Sequence, residues 1–136
     1  MHIEDIIATH PDVKGQTNQS LIGAIEACLD CAESCLSCAD ACLAEDKVAE
    51  LRQCIRLNND CADICFVTAR LAVRRTGGNE QLFRATLETC ATACRLCGDE
   101  CDRHAQMHEH CRICAEACRR CEEACRDAIP TLGRRH

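Results

Sequence analysis

Cysteines recur at helical spacing along most of this chain, and the clearest example is the stretch CLDCAESCLSCADAC at residues 28–42. Its five cysteines are separated by three, four, three and four positions. Because an α-helix turns once every 3.6 residues, positions that advance by three and four stay on one face. That face normally carries leucine, isoleucine or valine. The pattern therefore predicts helices whose buried stripe consists of thiols.

Breaks in this pattern divide the chain into four predicted helices, of which two lie in the amino-terminal half. The first spans residues 18–43. Asp46 is a candidate N-cap for the second, because its carboxylate can accept hydrogen bonds from the free N–H groups of a first turn. The second predicted helix runs to about Arg75 and ends at Gly77 and Gly78, since glycine is frequent just beyond a helix C-terminus.

The third and fourth predicted helices are separated by a histidine-rich connection. The third begins after Asn79, a second candidate N-cap, and continues to about Ala105. The fourth ends before Pro130, because a residue that precedes proline avoids the helical region. Four helices with short connections predict an all-α fold, an antiparallel up-down-up-down four-helix bundle with a cysteine-lined core.

Three segments follow from these boundaries. Residues 1–17 form a predicted N-terminal arm, whose isoleucines favour a short docked helix. Residues 18–129 form the bundle, and residues 130–136 a C-terminal tail. On the second helix, Asn58 fills an inward position between cysteines. Every cysteine of the chain falls on an inward position of the bundle: Cys28, Cys31, Cys35, Cys38, Cys42, Cys54, Cys61, Cys65, Cys90, Cys94, Cys97, Cys101, Cys111, Cys114, Cys118, Cys121 and Cys125.

Composition and charge narrow the class of protein. Seventeen cysteines in 136 residues are typical of a secreted disulfide scaffold, but the count is odd, the spacing is helical and no signal-peptide pattern opens the chain. A cytoplasmic protein with reduced thiols is therefore expected. No apolar run is long enough to cross a membrane. A net charge of −6, with arginines paired to acids, argues against nucleic acid as a partner.

A thiol stripe of this length indicates a soft metal rather than simple packing. Cysteine buries less apolar surface than leucine, and burial stabilises a core by roughly 25 cal/mol per Å². Thiolates select Cu(I), zinc and iron–sulfur clusters. Seventeen buried thiolates carry a charge of −17, which about one Cu(I) per bridging thiolate would neutralise. These arguments predict a storage or sequestration protein for multiple Cu(I) ions, and not an enzyme.

Two alternatives remain open at this point. A zinc or cadmium buffer would also use thiolates, although a divalent ion needs two of them for neutrality and prefers a tetrahedral set of four. An iron–sulfur or thiol-redox protein is the second alternative. The spacing of Cys31, Cys35 and Cys38 matches a radical iron–sulfur loop, but a helical stripe generates the same spacing.

The two ends of the predicted bundle differ in chemistry. His104 and His108 continue the cysteine phase of the third helix, so they are predicted to bind Cu(I) or to pass it inward. His110 is out of phase and is expected to point outward. We call the two ends the mouth and the plug. The mouth gathers Cys42, Cys54, His104, Met107, His108, His110 and Cys111, and the plug gathers Leu21, Ile25, Phe83, Leu87, Ile129 and Leu132.

A second stripe, purely apolar, runs beside the cysteines of the first helix. Its members Ile22, Leu29, Leu36 and Leu43 repeat every seven residues. This exceeds what a narrow thiol core needs for packing, so a homo-oligomeric interface is predicted.

The repeated CxxCxxxCxxCxxxC of the first and fourth helices, with the related runs on the other two, resembles the bacterial copper storage proteins in their cytosolic branch. The resemblance covers the bundle from about residue 20 to 128. It implies many Cu(I) ions held along the core by cysteine thiolates, assembly as a tetramer, and a copper chaperone as a candidate partner. Exported relatives carry a leader that this sequence lacks, in line with a cytosolic store.

Overall fold

The computed structural model describes residues 1–133 of the protein and contains five α-helices in that range, with no strand among the described residues. Residues 134–136, the end of the predicted tail, lie outside the described residues. The helices are α1 (Ile3–Ala8), α2 (Gln19–Leu43), α3 (Arg52–Val73), α4 (Glu80–Asp102) and α5 (Glu109–Ala128), and two 3₁₀ turns span Val48–Leu51 and Ile129–Thr131.

The four long helices form the predicted bundle. Each packs against two neighbours, so that α2 contacts α3 and α5, and α4 contacts the same two helices. Because short connections join consecutive helices, neighbours run antiparallel. The all-α, up-down-up-down arrangement predicted from the sequence is confirmed.

The helix boundaries show which local signals were decisive. Asn18 caps α2, since its side-chain Oδ1 accepts a hydrogen bond from the Leu21 N–H at 3.2 Å. The prediction that Asp46 caps the second helix is wrong, because a 3₁₀ turn intervenes and α3 begins only at Arg52. Asn79 does precede α4, but its side chain makes no capping hydrogen bond.

The third bundle helix is shorter than predicted. It ends at Asp102 rather than near Ala105, and residues 103–107 form turns that lead through the extended His108 into α5. The cysteine phase of α4 therefore stops before His104 and His108. The fourth bundle helix ends at Ala128, two residues before Pro130, as predicted.

Small side chains make the interior narrow. All seventeen cysteines are buried, together with many alanines of the four long helices, and large apolar residues are confined mainly to one end. Interaxial distances depend on the side chains at the contact, so cysteine and alanine let the helices approach closely. The result is a bundle with a column of sulfur atoms along its axis.

The N-terminal arm lies against the plug end of this bundle. Ile7 and Val13 are buried in the common core, and His10 Nε2 lies 3.0 Å from Thr76 Oγ1 in the connection between α3 and α4. Gly15 has a φ of +80°, which lets its N–H donate back to the Ala8 carbonyl at 2.8 Å. The arm is folded onto the bundle, while the division into arm, bundle and tail stays a prediction.

Candidate metal centre

The seventeen thiols form a single buried column. Each cysteine exposes at most 2% of its surface, and all are free thiols. Neighbouring sulfur atoms are in contact. Cys28 and Cys121 approach to 3.6 Å between α2 and α5, and Cys97 and Cys101 lie 4.0 Å apart within α4. The helices thus bring together the thiols that the spacing placed on their inner faces.

The thiols cluster in overlapping sets of four. Within each set all sulfur atoms lie within 4.8 Å of one another. Four cysteines each belong to two of the five sets named below, so four of these sets share ligands. The fifth set, at the mouth, connects to them through Cys101, whose Sγ lies 3.7 Å from Cys54 and 4.0 Å from Cys97, so the sulfur atoms form a continuous network. The sets include Cys28, Cys90, Cys121 and Cys125; Cys31, Cys65, Cys94 and Cys121; Cys31, Cys35, Cys61 and Cys118; Cys35, Cys97, Cys114 and Cys118; and Cys38, Cys42, Cys54 and Cys111.

Asn58 interrupts the sulfur column on α3. Its side chain is fully buried, and the amide Nδ2 donates to Cys54 Sγ at 3.6 Å. The amide Oδ1 accepts from Cys97 at 3.0 Å, from Cys114 at 3.2 Å and from Cys101 at 3.5 Å. The buried amide is therefore satisfied entirely by thiols, and it places one hard oxygen among soft sulfur atoms.

At the mouth, one histidine contacts the thiols directly, and it is not one of the two predicted. His110 Nδ1 lies 3.4 Å from Cys38 Sγ and 3.6 Å from Cys111 Sγ. Its other nitrogen, Nε2, lies 2.9 Å from Glu45 Oε2. The expectation that His110 points outward is wrong. His110 is the second residue of α5, and side chains of a first turn lean towards the N-terminal end of their helix, which here covers the mouth.

His104 and His108 lie at the same end but contact carboxylates. His104 Nε2 is 2.9 Å from Glu100 Oε2, and His108 Nδ1 is 3.0 Å from Glu45 Oε2. Glu45 therefore contacts both His108 and His110, whose rings stack with centroids 5.4 Å apart. Such carboxylate contacts orient an imidazole and fix which of its nitrogens is available to a metal. Met107 is 69% exposed at this end.

The mouth thiols differ in acidity. A hydrogen bond with the Cys101 thiol, reinforced by Cys38, lowers the pKa of Cys54 to about 3. Burial raises the pKa of Cys42 to about 11, and the charge on Cys54 acts in the same direction. Burial, followed by the same charge, also raises the pKa of Cys111. Of these three mouth thiols, Cys54 is therefore the one that loses its proton most readily.

The plug end is closed by apolar side chains, as the sequence predicted. Four of them are buried, and two more pack against the core at its edge. The four buried residues are Leu21, Ile25, Phe83 and Leu87, and the two partly buried residues are Ile129 and Leu132.

Comparison with known proteins identifies the family of this chain. The model of the Csp family, described as copper storage protein, matches residues 17–130. This chain belongs to the copper storage protein family. The membership that the cysteine repeats predicted is confirmed, and with it the function of copper storage that characterises the family.

Individual members of the family are similar over most of the chain. The copper storage protein Ccsp from Streptomyces lividans, loaded with 10 copper equivalents, is 51% identical over 96% of this chain and 99% of its own, with a TM-score of 0.91. The cytosolic copper storage protein of the same organism, with five coppers, is 55% identical over 85% of this chain and 96% of its own, with a TM-score of 0.83. The Cu(I)-bound copper storage protein BsCsp3 is 38% identical over 79% of this chain and 96% of its own, with a TM-score of 0.69.

A curated relative without an assigned function is also similar. The cysteine-rich protein YhjQ of Bacillus subtilis (strain 168) is 42% identical over 93 residues, which are 68% of this chain and 81% of the relative. Among residues 1–133, no helix is both long enough and apolar enough to cross a membrane.

Proposed function

We propose that this protein is a cytosolic store for Cu(I), which holds many ions through the thiolates of its core and catalyses no reaction. The proposal rests on one observation above all, the continuous sulfur network. Separate metal sites would each have their own ligands, whereas here adjoining four-thiol sets share Cys31, Cys35, Cys118 and Cys121. Shared thiolates bridge metals, and bridging is how a column of cysteines takes up about one monovalent ion per sulfur.

Two relatives support the proposed oxidation state of the copper and the proposed location of the protein. BsCsp3 is known in a Cu(I)-bound form, and the Streptomyces lividans protein is a cytosolic copper storage protein. Charge favours the same ion. Seventeen Cu(I) and seventeen thiolates sum to zero, which a buried core tolerates.

The proposed ligands are the seventeen cysteines, with nitrogen and oxygen donors near the mouth. We assign His104 and His108 to transient binding of incoming ions, because imidazole binds Cu(I) without bridging it into the network. His110 Nδ1, which faces Cys38 and Cys111, and Asn58 Oδ1, which faces three thiols, are placed to complete the coordination of ions in the outer part of the column.

A zinc or cadmium buffer is the second candidate, and one measurement favours it. With metal–sulfur bonds of about 2.3 Å, a tetrahedral site separates its sulfur atoms by roughly 3.8 Å. Sγ atoms in contact, such as Cys28 and Cys121 at 3.6 Å, fit that geometry, and all separations within a four-thiol set are below 4.8 Å. The shared cysteines count against it, since independent tetrahedral sites for seventeen thiols would number about four.

Metal titration of the reduced protein decides between the two. We expect about 17 equivalents of Cu(I) to bind before a competing Cu(I) chelator takes up copper, with acid released because protonated thiols must ionise. Saturation at one to four ions would contradict a store. Tight binding of about four Zn(II) ions, together with binding of only a few Cu(I) ions, would support a zinc buffer instead of a copper store.

A homo-oligomer, a tetramer by analogy with the cytosolic branch, is part of the proposal. On the apolar stripe of α2, Leu36 is 43% exposed and Leu43 is 61% exposed, and Val67 on α3 is 47% exposed. Burying these side chains between copies would remove exposed apolar surface from water. Light scattering should give a molar mass in solution of several chains. The double variant Leu36→Glu, Leu43→Glu should have a lower mass. A copper chaperone remains the proposed source of the ions.

A further inference from the structure

Two of the seventeen cysteines touch solvent, and they do so on the side of the bundle. Cys38 is 2% exposed and Cys114 is 1% exposed, whereas the other fifteen have no measurable exposure. The thiols at the mouth, Cys42, Cys54 and Cys111, belong to the fully covered group. Water therefore contacts the sulfur column at these two thiols, on its flank.

A groove leads to these two thiols. It lies between α2 and α5, has a volume of about 300 Å³, and meets the mouth at His110. The rest of its lining is Asp30, Glu33, Ser34, Ser37, Cys38, Ile113 and Cys114. The small serines of α2 leave the space that larger side chains would fill. Another cavity, of about 620 Å³ at the plug end, has no cysteine in its lining.

We propose that this groove is a side entrance, at which Cu(I) carried by a small uncharged or cationic thiol is transferred directly to Cys38 and then to Cys114. The inference rests on the proposed storage function and adds a second route and a class of donor. A space of 300 Å³ is the lower limit of small-ligand sites, so it admits a low-molecular-weight thiol and excludes a folded carrier.

Charge selects among such thiols. Asp30 and Glu33 are exposed at the groove, and no lysine or arginine lines it. The one basic residue of the lining, His110, contacts the carboxylate of Glu45 at 2.9 Å. A cleft lined by one sign of charge raises the local concentration of the opposite sign and accelerates association by about 10- to 1,000-fold. A cationic thiol complex is therefore favoured over an anionic one.

The transfer is a ligand exchange without a change of oxidation state. The copper–sulfur bond to the carrier breaks as a copper–sulfur bond to Cys38 forms, and the proton of the Cys38 thiol passes to the departing carrier thiolate. Copper remains Cu(I), and no oxidant or reductant is consumed. Cys114 is next in line, because its Sγ lies 3.7 Å from Cys35 and joins the deeper network.

Rates of uptake from two Cu(I) complexes test this route, one with cationic cysteamine and one with anionic glutathione. In the full-length reduced protein we expect Glu33→Lys to lower the ratio of the uptake rate from the cysteamine complex to that from the glutathione complex about tenfold. Glu88→Lys changes the net charge of the protein by the same amount at an exposed position on α4, and it should lower this ratio less than twofold. Equal effects of the two variants would mean that only the overall charge matters, and would overturn the proposal.

Filling the groove gives an independent measure. Ser34→Phe should slow uptake from the cysteamine complex about tenfold, while Thr89→Phe on the outer face of α4 should not change it. Final capacity must stay at the wild-type value in both, which separates loss of the route from failure of storage. Unchanged rates in Ser34→Phe would overturn the proposal, and if that variant does not fold, the exposed Glu33→Lys change decides alone.

Discussion

The mouth and the plug of the bundle are built from the same four helices but stabilise different states. At the plug, Leu21, Ile25 and Leu87 are almost completely buried, and the N-terminal arm packs Ile7 and Val13 onto the same end. At the mouth, apart from the buried Leu51, the side chains between the helix ends are histidines, carboxylates and thiols. One end resembles an ordinary protein core, and the other resembles a ligand shell that needs a metal.

This difference shows how a bundle folds around thiols before any metal arrives. Apolar burial is the main stabilising term, and cysteine and alanine provide little of it per residue. The few large apolar side chains are concentrated at the plug, so that end fixes the helices in register while the sulfur column supplies the binding site. Metal-free stability and copper binding are therefore expected to depend on different residues.

The largest expected effect is loss of stability at the plug. Leu87 is fully buried, so Leu87→Ala removes its apolar contacts and leaves a cavity, which costs about 2–5 kcal/mol. Urea unfolding of the reduced, metal-free protein should show a large decrease in the midpoint. Copper loading should restore much of it, because a ligand that binds only the folded state stabilises it by mass action.

Met107→Ala is the matched change at the mouth. Met107 is 69% exposed, so its removal should alter the free energy of unfolding by less than about 0.5 kcal/mol. If the two variants were equally destabilised, stability would be spread evenly along the bundle and the contrast between the ends would not hold.

The next effect concerns copper entry from the end of the bundle. Replacing both His104 and His108 with Phe removes the imidazoles proposed to receive ions, while all seventeen thiols remain. Uptake from a bulky aromatic Cu(I) chelator, which is too large for the groove between α2 and α5, should slow roughly tenfold. Final capacity should be almost unchanged. Stopped-flow spectroscopy of the chelator complex measures both quantities.

Leu87→Ala serves again as the control for this experiment. A cavity in the plug should not accelerate uptake if ions enter at the mouth. Faster uptake in the Leu87 variant, combined with wild-type rates in the double histidine variant, would place the entrance at the opposite end.

Helical periodicity predicted most of the fold and most of the site from the sequence. The inward phase of a long helix depends only on the 3.6-residue repeat, so the burial of cysteines such as Cys28 and Cys125 followed directly from their spacing. Asn58 was recognised as inward for the same reason. Its contacts with thiols of α4 and α5 depend on the packing of three helices, which spacing along one helix does not determine.

The misses lie where helices end. Extending the cysteine phase along the chain predicts that His110 points outward, but α4 ends at Asp102 and α5 sets a new phase from Glu109. The position of His110 in a first turn was the signal that pointed to the mouth. Asp46 failed as a cap because the 3₁₀ turn at Val48–Leu51 is compatible with many sequences, so local residue type did not decide where α3 begins.

The smallest expected effect compares two asparagines that precede helices at the plug end. Asn18 accepts from the Leu21 N–H, and its Nδ2 donates to Thr131 Oγ1 at 2.9 Å, so it caps α2 and ties it to the chain after α5. Asn18→Ala should therefore cost about 1 kcal/mol. Asn79 makes no capping hydrogen bond, so Asn79→Ala should change the free energy of unfolding by less than about 0.5 kcal/mol. Urea unfolding of the two metal-free variants measures the difference, and equal values would mean that the capping bond of Asn18 contributes nothing to the closure of the plug.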